Sequence, residues 1–236
     1  MGVTLKKLYK NLLEELLLIY GFKYKKGLFY RLVSEEILQT ISLHTLNRGR
    51  ECNLMIGLFP LYIILDDMDQ VNEGTFGLGQ IVNRLDTWWK CKPSDSKSVE
   101  RVIKALLFSV QDKVLPLFES TKDCNSCLKI IDEIEKDIYK VPLHSPASLW
   151  INAKLRNYER CVRIINYIEY QNMTAVQANK DIFSENDYKK YVQDAENDLF
   201  EFRKIRESIL NNDYEYIEML LKRNENISRD TLSSLL

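Results

Sequence analysis

Residues 21–31 read GFKYKKGLFYR, and the run they open continues through alternating apolar segments to Trp88-Trp89 and on to residue 92. Residues 28–33 are short, apolar and aromatic, which predicts a strand, and Ser34-Glu35 follows as a tight turn. Across residues 36–46, Ile37, Ile41 and Leu43 alternate with Thr40, Ser42 and His44. That period of two marks a strand with one buried face. Asn47-Arg48-Gly49-Arg50 reads as a turn. Cys52, Leu54, Ile56 and Leu58 then alternate with Asn53 and Gly57 in a third strand. Pro60 ends its regular pairing, because proline has no N–H to donate to a ladder. Residues 61–65 extend the sheet as an edge, 66–74 form a polar loop, and 75–85 and 87–92 read as two more strands.

Working outward, residues 4–20 predict a helix, with Leu5, Leu8, Leu12, Leu13, Leu16 and Ile19 on one face. Thr4 is placed to cap it and Gly21 to end it. Downstream, residues 98–114 predict a helix that buries Val102, Leu106 and Val110, and Pro116 ends or kinks it. Asp123 caps a shorter helix to residue 139, which Val141-Pro142 stops. Ser145-Pro146 starts another helix that runs to about residue 170. Ser184-Glu-Asn-Asp187 resembles a capping box before a long helix bearing Tyr191, Ala195, Leu199, Phe202 and Ile205. Residues 211–213 break it, 216–223 form a last helix, and the tail from Asn224 reads as frayed. The expected class is α+β: an antiparallel meander sheet of about five strands packed with helices, then an all-α C-terminal region. Residues 1–140 form the α+β domain and residues 141–236 the helical region, with the boundary near Val141.

Bulk composition narrows the functions. With 33 basic and 34 acidic side chains the net charge is −1, so no overall field draws the chain to nucleic acid or an anionic membrane. The first residues lack a secretory signal and no apolar run reaches transmembrane length, which predicts a cytosolic protein without membrane association. Cys52, Cys91, Cys124, Cys127 and Cys161 are odd in number and scattered, as reduced thiols are.

Catalytic and metal motifs are missing. The acidic cluster Asp66-Asp67-Met68-Asp69 with Glu73 has the oxygens a hard cation wants, but Gly74 falls too late for an EF-hand and no glutamate closes the loop. Cys124-Asn-Ser-Cys127 is a lone CxxC with no second ligand pair for zinc. His44 and His144 stand far apart in sequence, and no motif places a nucleophile for either. Gly74, Gly77 and Gly79 precede no phosphate-binding helix. The expectation is no metal, no cofactor, no disulfide and no catalytic residue. Lys23, Lys25, Lys26 and Arg31 interleave with Phe22, Tyr24, Phe29 and Tyr30, as in grooves for single-stranded nucleic acid. The simpler reading packs the aromatics inward and leaves the lysines in water.

The run GFKYKKGLFYR, the strand at 37–46, the strand at 53–59 and the Trp-Trp strand before a long helix together resemble the domain-of-unknown-function family 4304, found in bacterial proteins. The resemblance covers roughly residues 1–139. It implies a helix followed by a curved antiparallel meander, and it implies no activity. Small domains of that architecture neutralise bacterial toxins by direct binding, so the analogy favours an immunity-type role. The sequence reading is therefore a non-enzymatic bacterial protein that binds another protein, with nucleic acid disfavoured. Its polar sheet face offers His44, Asn53 and Trp88 as contact residues, and its C-terminal helices a second surface or a homodimer contact. The alternative is an enzyme or nucleic-acid-processing factor whose site is assembled from residues distant in sequence.

Overall fold

Two tight turns set the sheet. Lys26 and Gly27 take φ of 51° and 89°, and Ser34 and Glu35 take 52° and 57°. Two consecutive left-handed residues match the twist of the strands they join. The first pair links β1 (Lys23–Lys25) to β2 (Leu28–Val33), and the second links β2 to β3 (Ile37–Leu46). β3 pairs along its whole length with β4 (Glu51–Pro60), from Ile37 opposite Pro60 to Leu46 opposite Glu51. Two short strands share the outer edge of β4: β5 (Phe76–Gly77) opposite Met55 and Ile56, and β6 (Trp89–Lys90) opposite Glu51 and Cys52. All pairings are antiparallel. The computed structural model describes residues 5–65, 71, 76–77, 88–139, 146–233 and 235. The acidic cluster at 66–69 and Glu73, Gly74, Gly79, His144, and residues 75 and 78–85 of the fourth expected strand, lie outside them. Residues 61–65 do not extend the sheet. Ile63 N–H turns back to Pro60 O at 3.0 Å, and Leu61 N–H bonds Glu36 O at 3.0 Å.

The helices fall into place through their ends. α1 (Leu5–Leu18) closes where Phe22 N–H reaches Leu17 O at 3.1 Å and Gly21 takes φ 80°, the left-handed stop that glycine supplies at least cost. Its buried stripe is Tyr9, Leu13 and Leu17, with Leu5, Leu8, Leu12 and Leu16 along its flanks and Ile19 exposed. α2 (Ser96–Ser109) is capped by Asp95 and runs into a π-helical turn, Val110–Val114, then α3 (Leu115–Ser120). Pro116 has no N–H to offer the preceding turn, and the ladder adapts: Leu115 N–H bonds Val110 O, five residues back. Reciprocal bonds between Asp123 and Ser126 start α4 (Cys124–Tyr139).

The helix expected from residue 145 to about 170 is two. α5 (Pro146–Lys154) stops where Asn157 N–H bonds Asn152 O and Arg156 takes φ 58°, and α6 (Tyr158–Ala178) begins. This glycine-type stop is made without glycine, so the sequence carries no signal for it. α7 (Glu185–Leu210) starts on Ser184 and ends in the same way at Asn212, φ 57°.

The last helix corrects the sequence reading most. α8 spans Tyr214–Leu232, well past the expected end, and its second half is docked and not frayed. Asn224 Nδ2 donates to Tyr62 O at 3.1 Å. Ser228 Oγ donates to Ile63 O at 2.7 Å and accepts from Leu65 N–H at 3.1 Å. Asn224 and Ser228 are one helical turn apart, so they face the same way and satisfy the backbone of the segment leaving β4.

The sheet is covered on two sides. On one face Phe29, Ile41, Leu54 and Ile56 join α1 and α2 in a core that continues without a break into Leu149, Ile164, Leu199 and Ile217. On the other, Leu28, Tyr30, Leu38 and Phe59 pack under Leu65, Val71, Leu232 and Leu235. Gly57 belongs to that second face, where a β-carbon would sit 2.1 Å from Thr40 Oγ1 and 2.2 Å from the Phe59 ring. Only glycine fits.

One polar side chain lies at the centre of the first face. Gln39 has no solvent exposure, and its Nε2 donates to Phe118 O and Thr121 O, both at 2.9 Å, at the end of α3. Its Oε1 accepts from Arg31 Nε at 2.7 Å. Gln39→Leu fills similar space but orphans two carbonyls and a guanidinium N–H, so it is expected to cost about 2–4 kcal/mol in urea unfolding. A loss below about 0.5 kcal/mol is the size of an ordinary surface change and would show the bonds to be dispensable. Leu232→Ala is expected to cost ~2–5 kcal/mol by the same measurement, since it opens a cavity over the second face. A frayed tail would give close to zero.

Candidate binding surface

The strands are unequal, and that inequality makes two different ends. β2 stops pairing at Leu28, opposite Ser42, while β3 runs on to Leu46. The β3–β4 hairpin therefore projects beyond the β1–β2 turn. At the other end, the β2–β3 turn and residues 60–65 are held by α8, α5 and α4. There Arg229 Nη2 donates to Glu35 O at 2.8 Å and Tyr62 hydroxyl donates to Glu36 Oε1 at 2.7 Å. Lys154 Nζ lies 4.3 Å above the Tyr62 ring and 4.0 Å from the Glu36 carboxylate.

That tied end gathers chemistry-bearing groups from four elements, including Cys124, but the thiol is not poised for attack. Burial, with the Glu36 carboxylate nearby, pushes Cys124 up to about 12. Burial also raises Cys127, its partner in the CxxC, and lifts the Cys52 and Cys161 thiols to about 12. A thiol at 12 is ionised to roughly one part in ten thousand at pH 8, whereas redox and nucleophilic cysteines hold their pKa well below the ordinary value. The cluster is a polar clasp on the β2–β3 turn.

At the projecting end, register pairs two of the three contact residues expected from sequence. His44 pairs with Asn53 across β3 and β4, and Trp89 pairs with Cys52 across β6 and β4. His44 and Asn53 thus share one sheet face, and Trp88 is the residue just before β6, outside the ladder. They are not equally accessible. His44 and Trp88 are half-buried, while Asn53 is 2 % exposed and Trp89 is buried. Thr40 and Ser42, expected on an open polar face, are buried too, because that face is covered and not open. Among the described residues, Asn53 Oδ1 and Thr40 Oγ1 are buried with no hydrogen-bond partner. Such groups are costly to leave unmet, so a polar stripe of this kind is expensive unless something answers it.

Two concavities lie at this end. One, about 150 Å³, is lined by Tyr9, Tyr24, Lys26, Ser42, Leu43 and His44. The other, about 500 Å³, lies at the hairpin tip between Asn47, Arg48, Arg50 and Glu51. Sequence reasoning missed both, because neither lies within one strand's alternation. The basic-aromatic stretch does not form a stacking platform: Phe22 and Phe29 are buried, Tyr24 packs against Phe29, and Arg31 stacks 4.7 Å from the Phe22 ring. Lys23, Lys25 and Lys26 are exposed. Tyr170 and Met173 on α6, Ile182 and Phe183 in the connection that follows it, and Phe200 on α7 are exposed.

Among the described residues no group of histidine, cysteine and carboxylate side chains is placed to hold a metal ion, and no helix is long and apolar enough to cross a membrane. Compared with known proteins, the chain matches no family model, no curated protein and no solved structure.

The thiols supply the test of this chemistry. Native protein at pH 8 is expected to label with a maleimide at Cys124 and Cys127 only as fast as it unfolds, and rapid labelling would overturn the assignment. The same shifts fix a sign. A thiol whose folded pKa lies above its unfolded value near 8.5 binds more protons in the folded state over that interval, so stability falls as pH rises from about 8.5 toward 12.

Proposed function

We propose that this chain acts by binding another protein, with the projecting end of the β3–β4 hairpin as its contact surface. The His44–Asn53 pair carries the reading, with Trp88 just before β6. It combines polar groups on a rigid sheet, one of them the buried Asn53 Oδ1 with no hydrogen-bond partner among the described residues, with a half-buried indole at the start of the neighbouring strand. Rigid aromatics ringed by polar groups are what specific interfaces use as anchors. The inert thiols support a binding role over catalysis. Within it, the proposal is an immunity-type protein of bacterial cytoplasm that neutralises a toxin by covering it, by analogy of architecture with small toxin-neutralising domains. The exposed apolar residues of α6, α7 and the connection between them favour a second reading, a homodimer through the C-terminal helices.

Native mass spectrometry of protein isolated from its source cell is expected to show a second protein in fixed ratio. Trp88→Ala is expected to weaken that complex by about 2 kcal/mol or more while changing stability by less than about 1 kcal/mol. Retention unaffected by Trp88→Ala and His44→Ala would overturn the surface assignment. A symmetric dimer dissociated by Phe183→Asp would select the helical reading.

A further inference from the structure

The helical hairpin of α6 and α7 has two exposed sides, and they differ in charge. Arg203 Nε and Arg206 Nη1 each donate to the Glu169 carboxylate at 2.7 Å, and Arg206 Nη1 to Asn166 Oδ1 at 2.8 Å. Arg203 also holds Glu196 on its own helix. These bonds fix which residues stand level. Met173 is one turn on from Glu169, and Phe200 is one turn before Arg203, so both lie beside the ion pair on the same side of the hairpin. Met173 is 41 % exposed, Phe200 59 % and the adjoining Tyr170 65 %.

The middle of this side has no charge at its exposed positions. On α6 no residue from Tyr170 to Ala178 is charged, and Tyr170, Met173, Thr174 and Gln177 are exposed. On α7 the stripe Gln193, Asn197 and Phe200 is exposed and uncharged as well. Two lysines bound it: Lys189, paired with Glu185 at 2.7 Å, and Lys204, whose Nζ lies 4.4 Å over the Phe200 ring. The next stripe of α7, Lys190, Asp194 and Asp198, is exposed and charged at every position. In a chain that is 28 % charged, that second stripe is what a solvated helix side looks like, and the first is not. Its lack of charge also selects the occupant. Nucleic acid and anionic membranes are held through cations, whereas a second copy brings the same uncharged side and no like-charge clash. The area suits a copy too. α6 has 21 residues and is ~31 Å long, so two helices each ~10 Å wide present ~600 Å². Two copies bury ~1,200 Å², the lower bound for a stable interface.

We infer that two copies of this chain associate through the uncharged side of the hairpin, α6 and α7 of each laid against α6 and α7 of the other about a two-fold axis, with Tyr170, Met173 and Phe200 at the centre. The inference rests on the helical reading proposed above and names the side that meets. Aromatic and methionine side chains supply the apolar centre of such a contact, and the amides of Gln177, Gln193 and Asn197 its polar rim.

Sedimentation of the intact chain from about 1 to 200 µM is expected to show a reversible monomer–dimer equilibrium. The double variant Met173→Glu, Phe200→Glu is expected to raise the dimer dissociation constant at least about tenfold, and so is Met173→Lys, Phe200→Lys, because each sets like charges against each other across the two-fold axis. An equal mixture of the two is expected to restore the dimer, since the charges then oppose. Asp194→Lys, on the charged side, is expected to leave it unchanged. All three positions are exposed, and matching circular dichroism melts check that the fold is kept. A dimer that survives both double variants, or a mixture that stays monomeric, would overturn this side as the contact. If Phe183→Asp or Asp194→Lys then dissociates the dimer, the helical reading stands and only the choice of side fails. A chain that stays monomeric over the whole range would overturn both.

Discussion

The bonds made by Gln39 are what the rest of the structure depends on. A glutamine at the centre of a sheet face is an expensive choice unless every donor and acceptor is met. Here the side chain completes the end of α3 by taking the carbonyls of Phe118 and Thr121, and it orients Arg31. Arg31 then holds Tyr20 O, just past α1, and the Glu119 carboxylate, whose pKa the guanidinium lowers. Strand, helix end and the exit of α1 are thereby fixed relative to one another by one connected set of bonds. The π-helical turn belongs to the same arrangement: it lets the helix pass Pro116 and still bring the Phe118 and Thr121 carbonyls over β3. Apolar packing alone would permit sliding along the sheet. Directional bonds at its centre do not.

The second organising feature is the contrast between the sheet's ends. Around the β2–β3 turn, three helices and the segment after β4 converge, and nearly every polar group there is matched by a partner from a distant element. Around the β3–β4 turn the sheet thins to two full strands and a two-residue third. Stability and availability for contact are thus separated along the strands. Rigid support at one end lets the other present side chains in fixed positions without burying them.

The sequence made some of this legible and hid the rest for physical reasons. The meander was readable because one face of β3 and β4 is apolar, so Ile37, Ile41, Ile56 and Leu58 alternate with Thr40, Ser42 and Gly57, even though both faces are covered. Gly21 and Asp123 were readable as helix ends because their chemistry is local. The break at Arg156 was not, because a residue other than glycine adopts the left-handed stop. The docking of α8 was missed for a related reason: its contacts are made by Asn224 and Ser228, and a polar pair one turn apart looks like solvent-facing surface unless the backbone it serves is known. In the candidate surface, alternation placed His44 and Asn53 on one face, and the pairing of Trp89 with Cys52 put Trp88 at the start of the neighbouring strand. The burial of Asn53 depends on what packs over that face, which periodicity does not encode.

The reach of α8 has a consequence for how the protein is made. Tyr30 and the carbonyl of Leu235 that receives its hydroxyl are 205 residues apart in the chain. At ordinary rates of translation the second of them emerges roughly 10–40 s after the first. Through that interval Leu28, Leu38 and Phe59 lack the cover that Leu232 and Leu235 supply in the folded protein. Apolar surface left uncovered during synthesis is what makes a nascent chain prone to aggregate, and the final helix ends that exposure.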